Sequence, residues 1–180
     1  MNKGRVEALS DAIVAIIMTI MILEFKTPRD FHWTAILEEL PYLFAYAISF
    51  FFIAVAWYNH HYMFSITKYV TKKIYWINNV WLFTMALIPV ATAWAGEFMI
   101  YHAPEYFYLL IFTIWSFSYL WLVKLSNVCI RKTTPKSVEK FERWDLIAIW
   151  EVSIFRWSYL LRQSAFISIR QLDCLSHWLN

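Results

Sequence analysis

From Pro41 the chain runs without an Asp, Glu, Lys or Arg until Lys68. A helix apolar on every side has to be buried in a large core or in lipid, and crossing a bilayer core takes about 20 such residues. Two more runs of this kind follow, at about 75–95 and 106–123. A shorter one precedes them at about 8–25, with Asp11 near one end and Glu24 near the other. The pattern predicts an all-α fold: a polytopic integral membrane bundle with spanning helices at about 8–25, 41–66, 75–95 and 106–123. Together these form a membrane core over 1–128. Pro41 suits a helical first turn, Pro89 predicts a kink in the third helix, and Lys26-Thr27-Pro28-Arg29-Asp30 reads as a turn after the first.

Composition agrees. Hydrophobic residues make up 61% of the 180 and charged residues 16%, against about 25% charged in ordinary globular chains. Too few charges are present to cover that much apolar surface in water. The two glycines, Gly4 and Gly96, leave no phosphate-cradling loop and no glycine-dependent carbonyl filter. The net charge of +3 sits mainly in loops and reads as a topology signal, so no nucleic-acid partner is expected. Cys129 and Cys174 lack CxxC spacing. With Cys129 in a basic, reducing segment, no structural disulfide is expected.

The basic residues divide by side. Lys3 and Arg5 precede the first helix, Lys68, Lys72 and Lys73 follow the second, and Lys124 to Arg143 follow the fourth. The other side holds Lys26 and Arg29. Lysine and arginine stay cytoplasmic, which predicts an N-terminus on the inside and a cytoplasmic loop over 129–143. Residues 144–180 form a C-terminal helical segment whose membrane placement stays open. Asp145, Glu151, Arg156, Arg162, Arg170 and Asp173 interrupt it. On one helix they would fall within an arc of roughly 140°, so a single charged-stripe helix and two short spanning helices both fit.

Four groups could carry chemistry. At the mouth of the first helix stand Arg5, Glu7, Ser10 and Asp11. They read either as caps complementing the helix dipole or as a buried polar network, since ionisable groups in a membrane need partners. Along that helix Arg5, Leu9, Ala12, Ile16, Thr19 and Leu23 share one face, while Asp11 belongs to another. Packing inside the subunit and contact with symmetry mates are both open to that stripe. Trp57, His60 and His61 lie at the cytoplasmic end of the second helix. Adjacent histidines point about 100° apart, so they do not chelate one metal; pairing of a histidine with Asp11 or Ser10 fits better. Asn78 and Asn79, with Pro89 and Thr92 further on, suit hydrogen bonds between membrane helices. No catalytic triad, carboxylate pair, metal-ligand spacing or cofactor motif is present, so the chain reads as a non-enzyme with no catalytic, metal or cofactor residues.

Arg5-Val6-Glu7-Ala8-Leu9-Ser10-Asp11 resembles the R-x-x-x-F-S-D signature that opens the first helix in the family of the endolysosomal potassium channel and its prokaryotic homologues (the transmembrane protein 175 family). Leu9 replaces the family's Phe and keeps the position apolar. Trp57…His60-His61, Asn79…Leu82-Phe83…Pro89…Thr92 and the Thr27-Pro28 exit also resemble that family, in the same order on the same helices, over about residues 3–125. The charged tail after Asp145 departs from the family's six spanning helices per repeat.

The resemblance implies a homotetramer in a bacterial inner membrane, permeable to potassium ions, with the first helix lining the pore. The family's constriction position, five residues after the motif Asp, falls on Ile16, with Thr19, Ile20 and Leu23 on or beside the same face. Arg5, Ser10 and Asp11 would anchor that helix to its neighbours, with Trp57, His60 and Asn79 as partners. Two rivals stand beside this reading. One is a proton-conducting or proton-coupled transporter using Asp11 and His60 or His61, because histidine titrates near neutrality. The other is a non-conducting membrane scaffold or a redox or metal enzyme.

Overall fold

Each uncharged run folds as helix, and what ends each helix can be read from its flanks. The computed structural model describes residues 2–27, 31–98 and 101–133. The C-terminal segment 144–180 and most of the expected loop 129–143 lie outside them. Among the described residues the chain forms helices and no strand. The first, α1, spans Lys3–Leu23. It begins ahead of the apolar run because Lys3 and Glu7, 3.6 Å apart at i,i+4, support the opening turn. The short α2, Thr34–Glu38, leads into α3, Leu40–Ile66, which carries Pro41 in its first turn. Thr71 caps α4, Lys72–Met85, its hydroxyl accepting the Ile74 N–H at 3.2 Å.

The third apolar run does not stay one helix. It is divided into α4 and α5, Ile88–Glu97, with Ala86 and Leu87 between them. Pro89 explains the break: it has no N–H to return to Met85, and its ring crowds that carbonyl. The Leu87 N–H instead reaches back three residues to the Thr84 carbonyl at 3.3 Å. The last described helix, α6, spans His102–Thr133. It continues well past the apolar run ending at Val123, and Arg131 and Lys132 in its last turn complement the negative end of its dipole.

Four stretches are long and apolar enough to cross a membrane: Lys3–Leu23, Tyr42–Ile66, Lys72–Glu97 and His102–Lys132. They pack with α1 against α3, α4 and α5, and with α6 against α4 and α5. Ile53, Met63, Trp81, Met85 and Leu122 fill the interior. Between apolar helices in lipid, close fit and hydrogen bonds do the holding. Thr92 Oγ1 donates to Ser49 Oγ at 2.9 Å, and Ser49 shares a second 2.9 Å bond with the Tyr108 hydroxyl. That chain ties α5 to α3 and α6. Thr84 and Ser118, 3.1 Å apart, do the same for α4 and α6. Gly96 lets α5 approach α3, since a Cβ there would sit 3.0 Å from Tyr42 Cα.

The ends sort by charge. Lys3 Nζ donates to the Ser65 carbonyl at 3.3 Å, bringing the start of α1 to the end of α3. Cys129 Sγ lies 3.5 Å from the Tyr69 carbonyl, bringing the end of α6 to the α3–α4 connection. At the opposite end the Tyr42 hydroxyl donates to Met21 O at 2.8 Å, and Lys26 pairs with Glu97. The lysine-rich termini therefore gather on one side of the bundle.

Candidate pore face and helix-anchoring network

Two faces of α1 have opposite surroundings. Val6, Ser10, Val14, Ile17 and Met21 are buried against the other helices. Arg5, Leu9, Ala12, Ile16, Thr19, Ile20 and Leu23 are all exposed. The contrast is sharpest between neighbours: Ile16 is 55% exposed and Ile17 4%. A step of about 100° carries one into the subunit and the other out of it. Thr19 gives its hydroxyl proton to its own helix, with Ile16 O at 2.8 Å and Ala15 O at 3.1 Å. What remains outward is an acceptor oxygen.

Ser10 heads a directional chain. Its Oγ donates to Val6 O at 2.9 Å and accepts from Asn78 Nδ2 at 2.8 Å. Asn78 Oδ1 lies 2.7 Å from His60 Nε2. An amide oxygen can only accept, so His60 must carry its proton on Nε2. Its ring is sandwiched between Phe64 at 4.4 Å and Trp81 at 4.7 Å, nearly parallel to the latter. Ser10, Asn78 and His60 are fully or almost fully buried. Three helices, α1, α4 and α3, thus meet through neutral side chains bonded to one another, while His60 Nδ1 is buried with no hydrogen-bond partner among the described residues.

A second contact sits beside the first. Trp57 Nε1 donates to Asp11 Oδ1 at 2.8 Å, and the Trp57 ring stacks on His61 at 5.7 Å. The carboxylate therefore has an α3 partner at the mouth of α1.

Of the six residues expected to anchor α1, the structure brings together Ser10 with His60 and Asp11 with Trp57. Asn79 does not take part. Its Nδ2 bonds Tyr75 O of its own helix at 2.8 Å, and the bridging amide is Asn78. Arg5 is exposed and makes no hydrogen bond or ion pair among the described residues. A sequence signal for Asn78 exists: it lies at i, i+3, i+4 and i+7 spacing with Ile74, Trp81, Leu82 and Met85, the buried stripe of α4. Among the described residues no three His, Cys, Asp or Glu side chains are grouped to hold a metal.

Apolar helices of membrane-spanning length, joined by buried neutral hydrogen bonds and charged at their ends, define a polytopic α-helical integral membrane protein. Comparison with known proteins narrows the class. The family model of the endosomal/lysosomal potassium channel TMEM175 matches residues 5–89. A potassium channel of Chryseobacterium sp. (strain P1-3) is 45% identical over 96 residues, 53% of this chain and 50% of that protein. A potassium channel of Streptomyces collinus is 35% identical over 102 residues, 54% of this chain and 50% of that one. The chain spans about half the length of these curated relatives. A crystal structure of a lysosomal potassium-selective channel TMEM175 homologue from Chamaesiphon minutus shares the fold. Its TM-score is 0.64 at 23% identity, covering 88% of this chain and 85% of that one. Over residues 5–89, then, the chain is similar to the TMEM175 family.

Proposed function

We propose that copies of this chain assemble around the exposed face of α1 into a potassium-permeable leak channel. Ile16 forms its apolar constriction, and Thr19, Ile20 and Leu23 line the pore. The observation that carries this reading is the two-faced α1. An apolar stripe from Leu9 to Leu23 is left open along a helix whose other face is fully packed. The family match through the same helix, and the relatives named as potassium channels, support potassium as the permeant ion.

The chemistry is that of a narrow apolar ring. Closely spaced isoleucines leave a neck that sheds water readily, so an ion passes only by giving up part of its hydration. Potassium holds its water less tightly than sodium, so the ring favours it modestly. The Thr19 oxygen, about a turn further along, offers an acceptor to an ion regaining its shell. Ser10, Asn78, His60, Asp11 and Trp57 hold the helix so that the ring keeps its radius. Four copies are what the family resemblance implies. The basic residues at the N-terminal end of α1 orient that end to the cytoplasm of a bacterial inner membrane.

The test is ion flux into proteoliposomes holding the purified full chain, wild type beside Ile16→Asn. Wild-type flux favouring potassium over sodium, with that preference lost in Ile16→Asn, supports the reading. A conducting Ile16→Asn channel with unchanged preference removes Ile16 from the constriction. A well-folded wild type without flux removes the channel.

A proton pathway is the second reading, and one observation favours it: Trp57 touches both Asp11 and His61, joining a carboxylate to an exposed imidazole at one end of the bundle. It requires pH-dependent flux in the absence of potassium that disappears when His60 and His61 are replaced.

A further inference from the structure

The charges at the far end of α1 carry the reading of its exposed face one step further. Glu24 caps the helix in right-handed helical conformation, φ −73° and ψ −9°, so the path of the helix continues through it. On that path it stands about 40° round from Ile20 and about 12 Å along the axis beyond Ile16. It is exposed and makes no ion pair or hydrogen bond among the described residues. Lys26, two residues on, is the one lysine or arginine among the described residues at that end, and it is paired with Glu97 at the end of α5. Among the described residues, Glu97 thereby neutralises the cation nearest the end of the exposed stripe, and the carboxylate next to that stripe is left without a compensating cation.

We infer that Glu24 is the charge-selecting residue at the outer mouth of the pore, and that the Lys26–Glu97 pair preserves its field by neutralising Lys26. The inference rests on α1 lining the pore. A constriction of isoleucines strips water from an ion but does not tell a cation from an anion. That choice needs a charge along the path, and rings of carboxylates make it in cation pathways. A ring of Glu24 side chains would raise the local cation concentration and lower that of anions. Glu24 stands about 12 Å from the constriction, close to the Debye length of about 8–10 Å at ordinary salt. The effect is therefore graded by ionic strength, which gives it a signature that a purely structural role lacks.

The measurement is unitary conductance and reversal potential of the full chain in planar bilayers, in potassium chloride at about 0.01 M and about 1 M, where the Debye length is about 30 Å and about 3 Å. Glu24→Gln is expected to lower conductance several-fold at low salt, reduce the preference for potassium over chloride, and match wild type at high salt. Glu24→Asp keeps wild-type behaviour. Glu97→Gln alone unmasks Lys26 and also lowers low-salt conductance, while Lys26→Gln with Glu97→Gln restores it. A conducting Glu24→Gln channel with unchanged low-salt conductance overturns the inference, as does a loss that persists at about 1 M. Wild type that conducts and responds to Ile16→Asn, but not to Glu24→Gln, defeats this inference alone. Wild type without flux defeats the pore reading as well.

Discussion

Asn78 Nδ2 stands 2.8 Å from Ser10 Oγ, and through that one bond α4 holds the N-terminal third of α1. The bond is buried and its partners are neutral, and Asn78 Oδ1 carries the link on to His60 of α3. Removing the amide leaves the His60 imidazole N–H without its acceptor and the Ser10 oxygen without its donor, though the Ser10 hydroxyl keeps its bond to Val6 O. A buried group so orphaned costs about 1–3 kcal/mol. Asn78→Leu is therefore expected to destabilise the subunit by at least that much, read as thermal unfolding in detergent. Asn79→Leu should cost less, because Asn79 bonds only its own helix. The reverse order would transfer the bridging role to Asn79.

Ile16 and Ile17 are identical in chemistry and adjacent in sequence, yet 55% and 4% exposed. Ile17→Asn buries an amide among apolar side chains and is expected to cost about 2–5 kcal/mol in lost packing and desolvation. Ile16→Asn should leave the unfolding temperature of the subunit nearly unchanged and act on ion preference instead. Equal destabilisation by both would mean that the exposed stripe is closed by something inside the subunit.

Asp11 accepts from Trp57 at 2.8 Å. Asp11→Asn keeps a carbonyl oxygen for that indole and should be mild. Asp11→Ala and Trp57→Phe each break the bond and should weaken assembly by about 1–2 kcal/mol, measured by size-exclusion chromatography and unfolding. Because the two remove one interaction, the double variant should lose less than the sum of the singles. A stable Asp11→Ala assembly with altered ion preference alone would move Asp11 from the anchor to the pore.

Gly96 faces Tyr42 backbone, where a Cβ would lie 3.0 Å from Cα. Gly96→Val forces α5 off α3 and is expected to cost about 1–3 kcal/mol. Gly4 meets only the Asn2 side chain at 3.6 Å, so Gly4→Ala should be neutral or stabilise by about 0.5–1 kcal/mol. Unfolding of the two variants side by side checks the contrast, and a harmless Gly96→Val would show that the α3–α5 approach is looser than 3.0 Å implies.

The α-helical membrane class and the four spans were legible in the order of the residues, because the physics behind them is one-dimensional. A run of uncharged side chains long enough for a bilayer is visible without knowing what it touches, and Pro89 marks its own break by lacking a donor. The exposed stripe of α1 was legible for a related reason. Helical periodicity places Leu9, Ala12, Ile16 and Leu23 on one side, whatever lies opposite. Periodicity does not say which side is packed, and the burial of Val6, Ser10, Val14, Ile17 and Met21 decided that. The choice between Asn78 and Asn79 likewise needed the tertiary structure. Both are amides on the same helix, and a rotation of about 100° separates a bridge between three helices from a bond within one. Hydrogen bonds act over about 3 Å, so which groups they join is set by how helices pack. The Lys26–Glu97 pair is the same lesson at long range: its members stand seventy-one positions apart in the chain, and only the packing of α5 beside α1 makes them neighbours.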